Sequence, residues 1–194
     1  HIENVKSFGV PVVVAINRFI TDTDAEIQAV KDLASEYGVK AIECTHWSDG
    51  GKGTTNLAEE VVKLANSGVV NFAPLYPNDM AIWDKIKTVA TRLYRADDII
   101  ADKKIRAQIR KFEDDGYAHF PICIAKTQYS FSTDPNLKGA PNNHVMAIRE
   151  VRLSAGAGFI VVVCGDIMTM PGLPRVPAAN NIDVDEKGKI SGLF

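Results

Sequence analysis

The stretch from Gly9 to Phe19 limits the possible folds of this chain most strongly. It contains an apolar run, Val10 to Ile16, which ends abruptly in an amide, a guanidinium and an aromatic ring. Runs rich in valine and isoleucine are typical of strands that are buried on both faces in a parallel sheet. Such sheets bind ligands in the crevice beyond the carboxyl ends of their strands. We therefore expect Asn17, Arg18 and Phe19 to lie at a ligand-binding edge.

A second strand is predicted over Val39 to Cys44, and it runs into a segment that holds Trp47 and a glycine-rich loop. Between the two strands, Thr23 and Glu26 form a capping box at the start of a helix, and Gly38 is placed to end that helix as its C′ residue. Strand, helix and strand in so few residues predict a parallel pair. The two strand ends then each present one aromatic ring at the same edge.

The βα order continues along the chain, and Asn56 with Glu59 predicts a second capping box. Apolar residues recur at helical spacing in four segments: Ile27, Val30, Leu33 and Ala34; Leu57, Val61 and Leu64; Ile82, Ile86, Val89 and Leu93; and Ile105, Ile109 and Phe112. We expect a single α/β domain over residues 1–194, with parallel-sheet βα units covered by helices and a small β-rich C-terminal part. Loops are predicted at Met170–Pro174, and a small hairpin in the tail.

Composition excludes several classes of partner. The net charge of −2 combines 22 basic with 24 acidic residues without a long run of either sign, so we expect no nucleic-acid partner and no membrane-surface partner. No apolar stretch approaches membrane-spanning length. Cys44, Cys123 and Cys164 are odd in number and lie in apolar segments, which is typical of a reduced compartment, so we expect a cytoplasmic protein. The chain begins at His1 inside a helix-like segment and is expected to belong to a longer polypeptide.

Two interpretations remain open for the strand-end residues. Phe19 and Trp47 are either a stacking pair for a flat ring system or two core aromatics. The Asn17 amide either reads the edge of a heterocycle, because it both donates and accepts, or caps the local turn. A third polar strand end, Lys126 to Ser130, follows a short strand predicted at Pro121 to Ala125.

Several motifs are incomplete. Gly50 to Thr55 precedes a helix and either holds an anion or is a flexible connection, but Lys52 is followed by Gly53, so the order is not that of a Walker A loop. Gly156 to Gly158 lacks the third glycine of a dinucleotide fingerprint. Asp183 to Gly188 lacks the ligands of a calcium loop and is read as a turn.

No catalytic or metal-binding residue is predicted. The histidines and cysteines have no ligand spacing, so we expect no metal site. A thiol nucleophile at Cys44 or Cys123 is conceivable, but both are interpreted as core residues because buried cysteines are mostly inert.

The chain also resembles a known protein family. The chain resembles formate–tetrahydrofolate ligase in segments distributed in order along its whole length: residues 13–19, 21–26, 44–47 and 50–51, then residues 121–128, 154–159, 168–174 and 192–194. That family's enzyme is longer, and the resemblance is to its C-terminal portion only.

The resemblance implies a function. Such ligases use ATP and Mg²⁺ to activate formate as formyl phosphate, and transfer the formyl group to N10 of tetrahydrofolate. It implies that Phe19 and Trp47 stack on the folate ring system, with Asn17 as a further candidate. It also implies that the phosphate site lies mostly in the absent N-terminal part, and that the whole enzyme is a homo-oligomer, a tetramer. The rival interpretation is a non-catalytic α/β ligand-binding or interaction domain. A phosphate-binding hydrolase is disfavoured because the chain lacks a P-loop.

Overall fold

The computed structural model describes residues 1–167 and 175–192, so the loop predicted at Met170–Pro174 lies outside the described residues. The helices are α1 (Ile2–Lys6), α2 (Asp24–Glu36), α3 (His46–Asp49), α4 (Thr55–Ala65), α5 (Ile82–Tyr94) and α6 (Lys103–Phe112). The strands are β1 (Val13–Asn17), β2 (Lys40–Cys44), β3 (Asp98–Ile100), β4 (Ile122–Ala125), β5 (Val145–Ser154), β6 (Phe159–Cys164), β7 (Asp183–Val184) and β8 (Ile190–Ser191). Among these described elements, none is a helix with both the length and the hydrophobicity to cross a bilayer.

Within residues 1–167 and 175–192 the strands form three separate sheets. β1 and β2 make a parallel pair, in which Asn17 lies opposite Cys44. A mixed sheet has the order β3-β5-β6-β4, with parallel outer pairs and an antiparallel β5–β6 hairpin in the centre. β7 and β8 form the small hairpin predicted for the tail. The α/β class, with a small β-rich C-terminal part, is therefore confirmed.

The main hydrophobic core lies on the mixed sheet. Helices α5 and α6 pack against it with fully or almost fully buried residues such as Ile82, Ile86 and Ile109. Met146 and Ile160 meet them from the sheet. Lys85 of α5 is also buried. It lies on the apolar stripe of that helix, and its burial was not predicted from the sequence.

The prediction for the first strand was wrong in two respects. The ordered strand is shorter than Val10 to Ile16, and it is not buried on both faces, because Ala15 and Asn17 are exposed and the remaining residues are only partly covered. In the described part of the chain β1 pairs with β2 alone. A strand with only one neighbouring strand is less buried than the central strand of a parallel sheet.

One of the two capping boxes is confirmed. The Thr23 hydroxyl accepts a hydrogen bond from the Glu26 amide at 3.3 Å, and the Glu26 carboxylate accepts one from the Thr23 amide at 2.9 Å. Gly38 follows the helix with a φ of 64°, as expected of a C′ glycine. The box at Asn56 was wrong, because α4 begins at Thr55 directly from a 3-10 turn, Gly50–Thr54, and Asn56 lies inside its first turn.

Replacing Thr23 by alanine should destabilise the chain by about 1 kcal/mol, because the first turn of α2 loses its side-chain acceptor. The matched control is Asn56→Ala, which removes a polar side chain from the first turn of α4, outside the N-cap position, and should cost much less. Urea unfolding followed by circular dichroism measures both. Equal losses for the two variants would contradict the assignment of the caps.

Candidate functional site

The carboxyl ends of β1 and β2 meet at one edge, as the sequence predicted. The amide of Arg18 donates to the carbonyl of Cys44 at 3.0 Å, which fastens the two strand ends to each other. Phe19 follows β1, and Trp47 lies in α3 directly after β2. The two aromatic residues therefore reach the same corner of the molecule from neighbouring parallel strands.

The two rings contact each other on the surface. Their centroids lie 6.3 Å apart and their planes are tilted by 59°. Phe19 is 48% exposed and Trp47 is 66% exposed, so the alternative interpretation of two core aromatics is wrong for both. Exposed aromatic pairs of this kind offer faces on which a flat ligand can stack.

The pair is not a preformed sandwich. Two parallel rings that enclose a third need about 7–8 Å between their planes, since stacked carbons approach to about 3.5–4.0 Å. At 6.3 Å and 59° the rings touch in a tilted arrangement instead. A flat ligand can stack on the outer face of one ring, or enter between them after the side chains rotate.

A short turn fixes Phe19. Its amide donates to the Asp22 carboxylate at 2.8 Å, and the Asp22 amide donates back to the Phe19 carbonyl at 3.1 Å. The backbone of the turn is thus held by two reciprocal hydrogen bonds. Sequence reasoning missed Asp22, although an aspartate in the loop that follows a strand is a common turn signal.

Arg18 is engaged in ion pairs. Its guanidinium donates to Glu43 at 2.8 Å and to Asp24 at 2.6 Å, so it links β2 to the start of α2. The hydrogen bond from Arg18, with Lys31 nearby, lowers the pKa of Glu43, and the two carboxylates raise the pKa of Arg18. This network connects the elements that form the site. The Arg18 guanidinium is therefore already paired with carboxylates of the protein.

The segment that carries Trp47 is helical, in α3 and a 3-10 turn, so its prediction as a glycine loop was wrong. The Thr45 amide donates to the Gly53 carbonyl at 3.1 Å, and the Thr45 hydroxyl donates to Asp49 at 2.6 Å. A Cβ on Gly53 would lie 2.5 Å from the carbonyl carbon of Thr45. Only glycine fits there, because the backbone turn after Trp47 folds back onto Thr45.

Asn17 is the last residue of β1 and is exposed. It shares the strand end with Phe19, on the edge where Trp47 also lies. Its position is compatible with either of the roles that the sequence left open.

Lys126, from the third polar strand end, directly follows β4 of the mixed sheet and is not part of this corner. Its ammonium donates to the carbonyls of Thr127, Ser130 and Ser132, and it stands 4.6 Å from the centre of the Tyr94 ring. Burial lowers the pKa of Lys126. The lysine thus organises the loop after β4, beside a cavity of about 510 Å³.

The cysteines do not behave alike. Cys44 and Cys164 are buried, as predicted, and burial raises the pKa of the Cys164 thiol to about 12. Cys123 is exposed, so its interpretation as a core residue was wrong. It lies on β4, one of the two edge strands of the mixed sheet. Among the described residues no group of three or more histidine, cysteine or acidic side chains is placed to hold a metal ion.

Iodoacetamide should alkylate Cys123 rapidly in the folded chain and leave Cys44 and Cys164 unmodified, because burial keeps the reagent away from both thiols and also raises the pKa of Cys164. Peptide mass spectrometry before and after denaturation gives the modified fraction of each cysteine. Rapid modification of Cys164 in the folded state would contradict the burial described above.

Comparison with known proteins identifies the family. The family model described as formate–tetrahydrofolate ligase matches residues 1–194. Curated relatives of that name cover the whole chain, with 63% identity in Ruegeria sp. (strain TM1040), 62% in Ruegeria pomeroyi and 60% in Roseobacter denitrificans. In each case the chain spans only 35% of the relative's length. The matches are uninterrupted over all 194 residues, and on that ground the chain belongs to the formate–tetrahydrofolate ligase family.

Proposed function

We propose that this chain is the folate-binding portion of a formate–tetrahydrofolate ligase, which forms 10-formyltetrahydrofolate from formate, tetrahydrofolate and ATP through formyl phosphate. The observation that carries the proposal is the exposed pair of Phe19 and Trp47, side by side at the carboxyl ends of two parallel strands. In this proposal the pterin ring stacks on one or both rings, and the Asn17 amide reaches an edge of the heterocycle.

Positioning is the contribution that such a surface makes to the reaction. Formyl phosphate is hydrolytically labile, so it must form beside the acceptor nitrogen and away from water. Aromatic walls orient the acceptor and displace water from one of its faces. Acyl transfer from formyl phosphate needs no protein nucleophile, and the proposal accordingly assigns no catalytic residue to this chain.

The proposal places the ATP and Mg²⁺ sites mostly in the part of the ligase outside this chain. Residues 50–55 have the wrong order for a phosphate loop, and they are folded as helical turns packed on Thr45. Residues 50–55 thus do not have the form of a loop that holds a triphosphate and its metal. By resemblance to the family, the whole enzyme is proposed to be a homotetramer. The free thiols of the described chain support a cytoplasmic location.

Formyl-transfer assays test whether the ATP site lies outside this chain. The chain alone, supplied with ATP, formate and tetrahydrofolate, should neither hydrolyse ATP nor make 10-formyltetrahydrofolate. Adding the remaining part of the ligase in trans should restore turnover. Appreciable turnover by the chain alone would overturn the proposal, because the ATP site would then lie within these residues.

The second candidate function is a non-catalytic ligand-binding or interaction domain, which the same exposed aromatic pair also fits. Separate titrations with tetrahydrofolate and with ATP distinguish the two candidates. A folate-binding portion should bind tetrahydrofolate weakly and ATP hardly at all. A domain that serves a different ligand or a protein partner should bind neither.

A further inference from the structure

A polar groove opens beside the corner that holds Phe19 and Trp47. We call it the β2 groove, because it lies along β2 between α2 and α4, with a volume of about 710 Å³. Thr45 and Gly53, whose backbones are hydrogen-bonded to each other, both line it. Trp47 is two residues from Thr45, so their Cα atoms are no more than about 8 Å apart. The groove therefore begins next to the segment that carries Trp47.

Two carboxylates of the groove wall are already neutralised by the protein. Glu60 pairs with Lys40 at 2.7 Å. Glu43 pairs with Arg18 at 2.8 Å and with Lys31 at 3.5 Å. These ion pairs fix the walls of the groove and leave the charge of its other lining residues to decide which ligand it suits.

Two further lysines of the groove have no such partner. Within residues 1–167 and 175–192, neither Lys52 nor Lys63 forms an ion pair, and both are exposed. Glu59 is the remaining charged residue that lines the groove. The free charges are thus two ammonium groups against one carboxylate, which favours an anionic ligand. Lys52 also belongs to the segment 50–55, for which the sequence left an anion site open.

Tetrahydrofolate, the substrate in the proposed function, has an anionic end. Its pterin ring is joined through an aminobenzoyl group to glutamate, and further glutamates can be attached through γ-amide bonds. With the pterin stacked on Phe19 and Trp47, the glutamyl end must either extend into water or lie against a neighbouring surface. The β2 groove is such a surface, and it carries free ammonium groups.

We propose that the β2 groove binds the glutamyl tail of tetrahydrofolate, with Lys52 and Lys63 paired to its carboxylates. The inference rests on the proposed function, because it takes the pterin to stack on Phe19 and Trp47. A lysine binds an anion as a point charge, so Lys52 can hold a carboxylate without the order of a phosphate loop. N10 lies between the pterin and the benzoyl group, so this placement keeps the acceptor nitrogen at the corner and the tail away from the formyl donor.

The contribution of the groove should depend on salt. Exposed ion pairs are individually weak and are screened by dissolved ions. The tail should therefore gain affinity from several contacts at once, and the gain should fall as the ionic strength rises. Stacking of the pterin needs no charged protein group, so the same salt should have little effect on it.

The test is isothermal titration calorimetry of the chain with ligands that share the pterin and differ in the tail: tetrahydropteroate, tetrahydrofolate and the triglutamate of tetrahydrofolate. We expect the affinity to rise in that order, by about tenfold overall at low salt. Most of this gain should be lost at about 1 M salt, where separated charges are screened from one another.

The decisive variant is Lys52→Gln with Lys63→Gln. It should remove most of the gain that the glutamates provide and leave the affinity for tetrahydropteroate unchanged. Glu59→Gln should act in the opposite direction, because it removes the carboxylate that repels the tail. The matched control is Lys103→Gln with Lys104→Gln on α6, which replaces two exposed lysines on a helix that packs on the mixed sheet, and it should keep the gain. All of these variants should retain the thermal unfolding midpoint of the unmodified chain, because the replaced side chains are exposed.

Equal affinities for the three ligands would overturn the proposal. A gain that persists in the groove variant, or that the α6 control loses to the same extent, would also overturn it. Tetrahydropteroate has no glutamyl tail, so its binding reports on the proposed function separately. If it binds and added glutamates contribute nothing, the proposed function stands and the inference fails. If none of the three ligands binds, both fail.

Discussion

Replacement of Trp47 by alanine in the full-length ligase is expected to raise the KM for tetrahydrofolate by roughly one to two decades and to leave the KM for ATP unchanged. Loss of one stacking face costs about 1–3 kcal/mol, by analogy with nucleic-acid bases on aromatic side chains. Trp47 is 66% exposed on a short helix, so its removal leaves no cavity in the core. The change should therefore act on binding and not on folding.

The matched control for this variant is Tyr129→Ala. Tyr129 is 61% exposed and follows a strand of the other sheet, so the control removes a similarly exposed ring away from the Phe19–Trp47 corner. Steady-state kinetics with each substrate varied in turn give the two KM values. An equal rise for tetrahydrofolate and ATP, or an equal effect of Tyr129→Ala, would contradict the assignment of Trp47 to the folate site.

The largest expected loss of stability follows replacement of Lys85. Its side chain is fully buried, and its ammonium donates to the carbonyls of Asn78, Ala118 and Phe120 at 2.7, 2.6 and 3.0 Å. Lys85→Ala removes the common donor of three carbonyls and also leaves a cavity. We expect a loss of about 3–5 kcal/mol in the free energy of unfolding, since each buried carbonyl without a donor costs about 1–3 kcal/mol and relief of the buried charge offsets part of the sum.

The Lys85→Met variant separates the contribution of the hydrogen bonds to stability from the contribution of the side-chain volume. Methionine fills most of the same space but donates nothing, so this variant should still lose about 2–3 kcal/mol. Urea unfolding of both variants measures the difference. A methionine variant as stable as the unmodified chain would show that packing alone matters at this position.

The lysine should also make stability depend on pH. Burial lowers the pKa of Lys85 from its ordinary value of 10.5, so the unfolded chain holds this proton more tightly than the folded chain does. Between the lowered pKa and 10.5, unfolding takes up a proton, and the free energy of unfolding contributed by Lys85 increases with pH. The stability difference between the unmodified chain and Lys85→Met should accordingly widen across that window.

Local signals were predictable from the sequence, because their energy comes from residues that are close along the chain. The Thr23–Glu26 box needs only side chains and amides three residues apart. The Asn56 box failed because a capping residue must enter the helix from extended backbone. Here Thr54 enters from a preceding 3-10 turn, with φ −118° and ψ 7°.

Burial was less predictable, because it depends on which strands become neighbours. Cys123 and Ala15 lie in apolar runs, but both are exposed on strands that have only one partner in the described sheets. Lys85 is the opposite case, a charged residue that is fully buried, and the sequence analysis made no prediction for it. It lies one turn from Ile82 and four residues before Val89 on the apolar stripe. Only the arrangement of three carbonyls around it explains its burial.

The meeting of Phe19 and Trp47 could be predicted, because parallel strands place their carboxyl ends at one edge. Their tilt and spacing could not, since side-chain rotation depends on the turns at Asp22 and Gly53. The ion pairs of Arg18 also escaped prediction. They join three elements that are separated along the sequence.

The most direct measurement of the folate-binding claim is a two-dimensional NMR titration of the chain with tetrahydrofolate, followed at the indole N–H groups of its two tryptophans. Trp83 is the internal control, because it lies in the other half of the fold with its ring stacked against Arg106 at 4.0 Å. The account predicts a saturable shift of the Trp47 signal, abolished by Phe19→Ala or strongly weakened by it, with Trp83 unmoved. A Trp47 signal that stays in place while tetrahydrofolate binds, or an equal shift of both indoles, would contradict it.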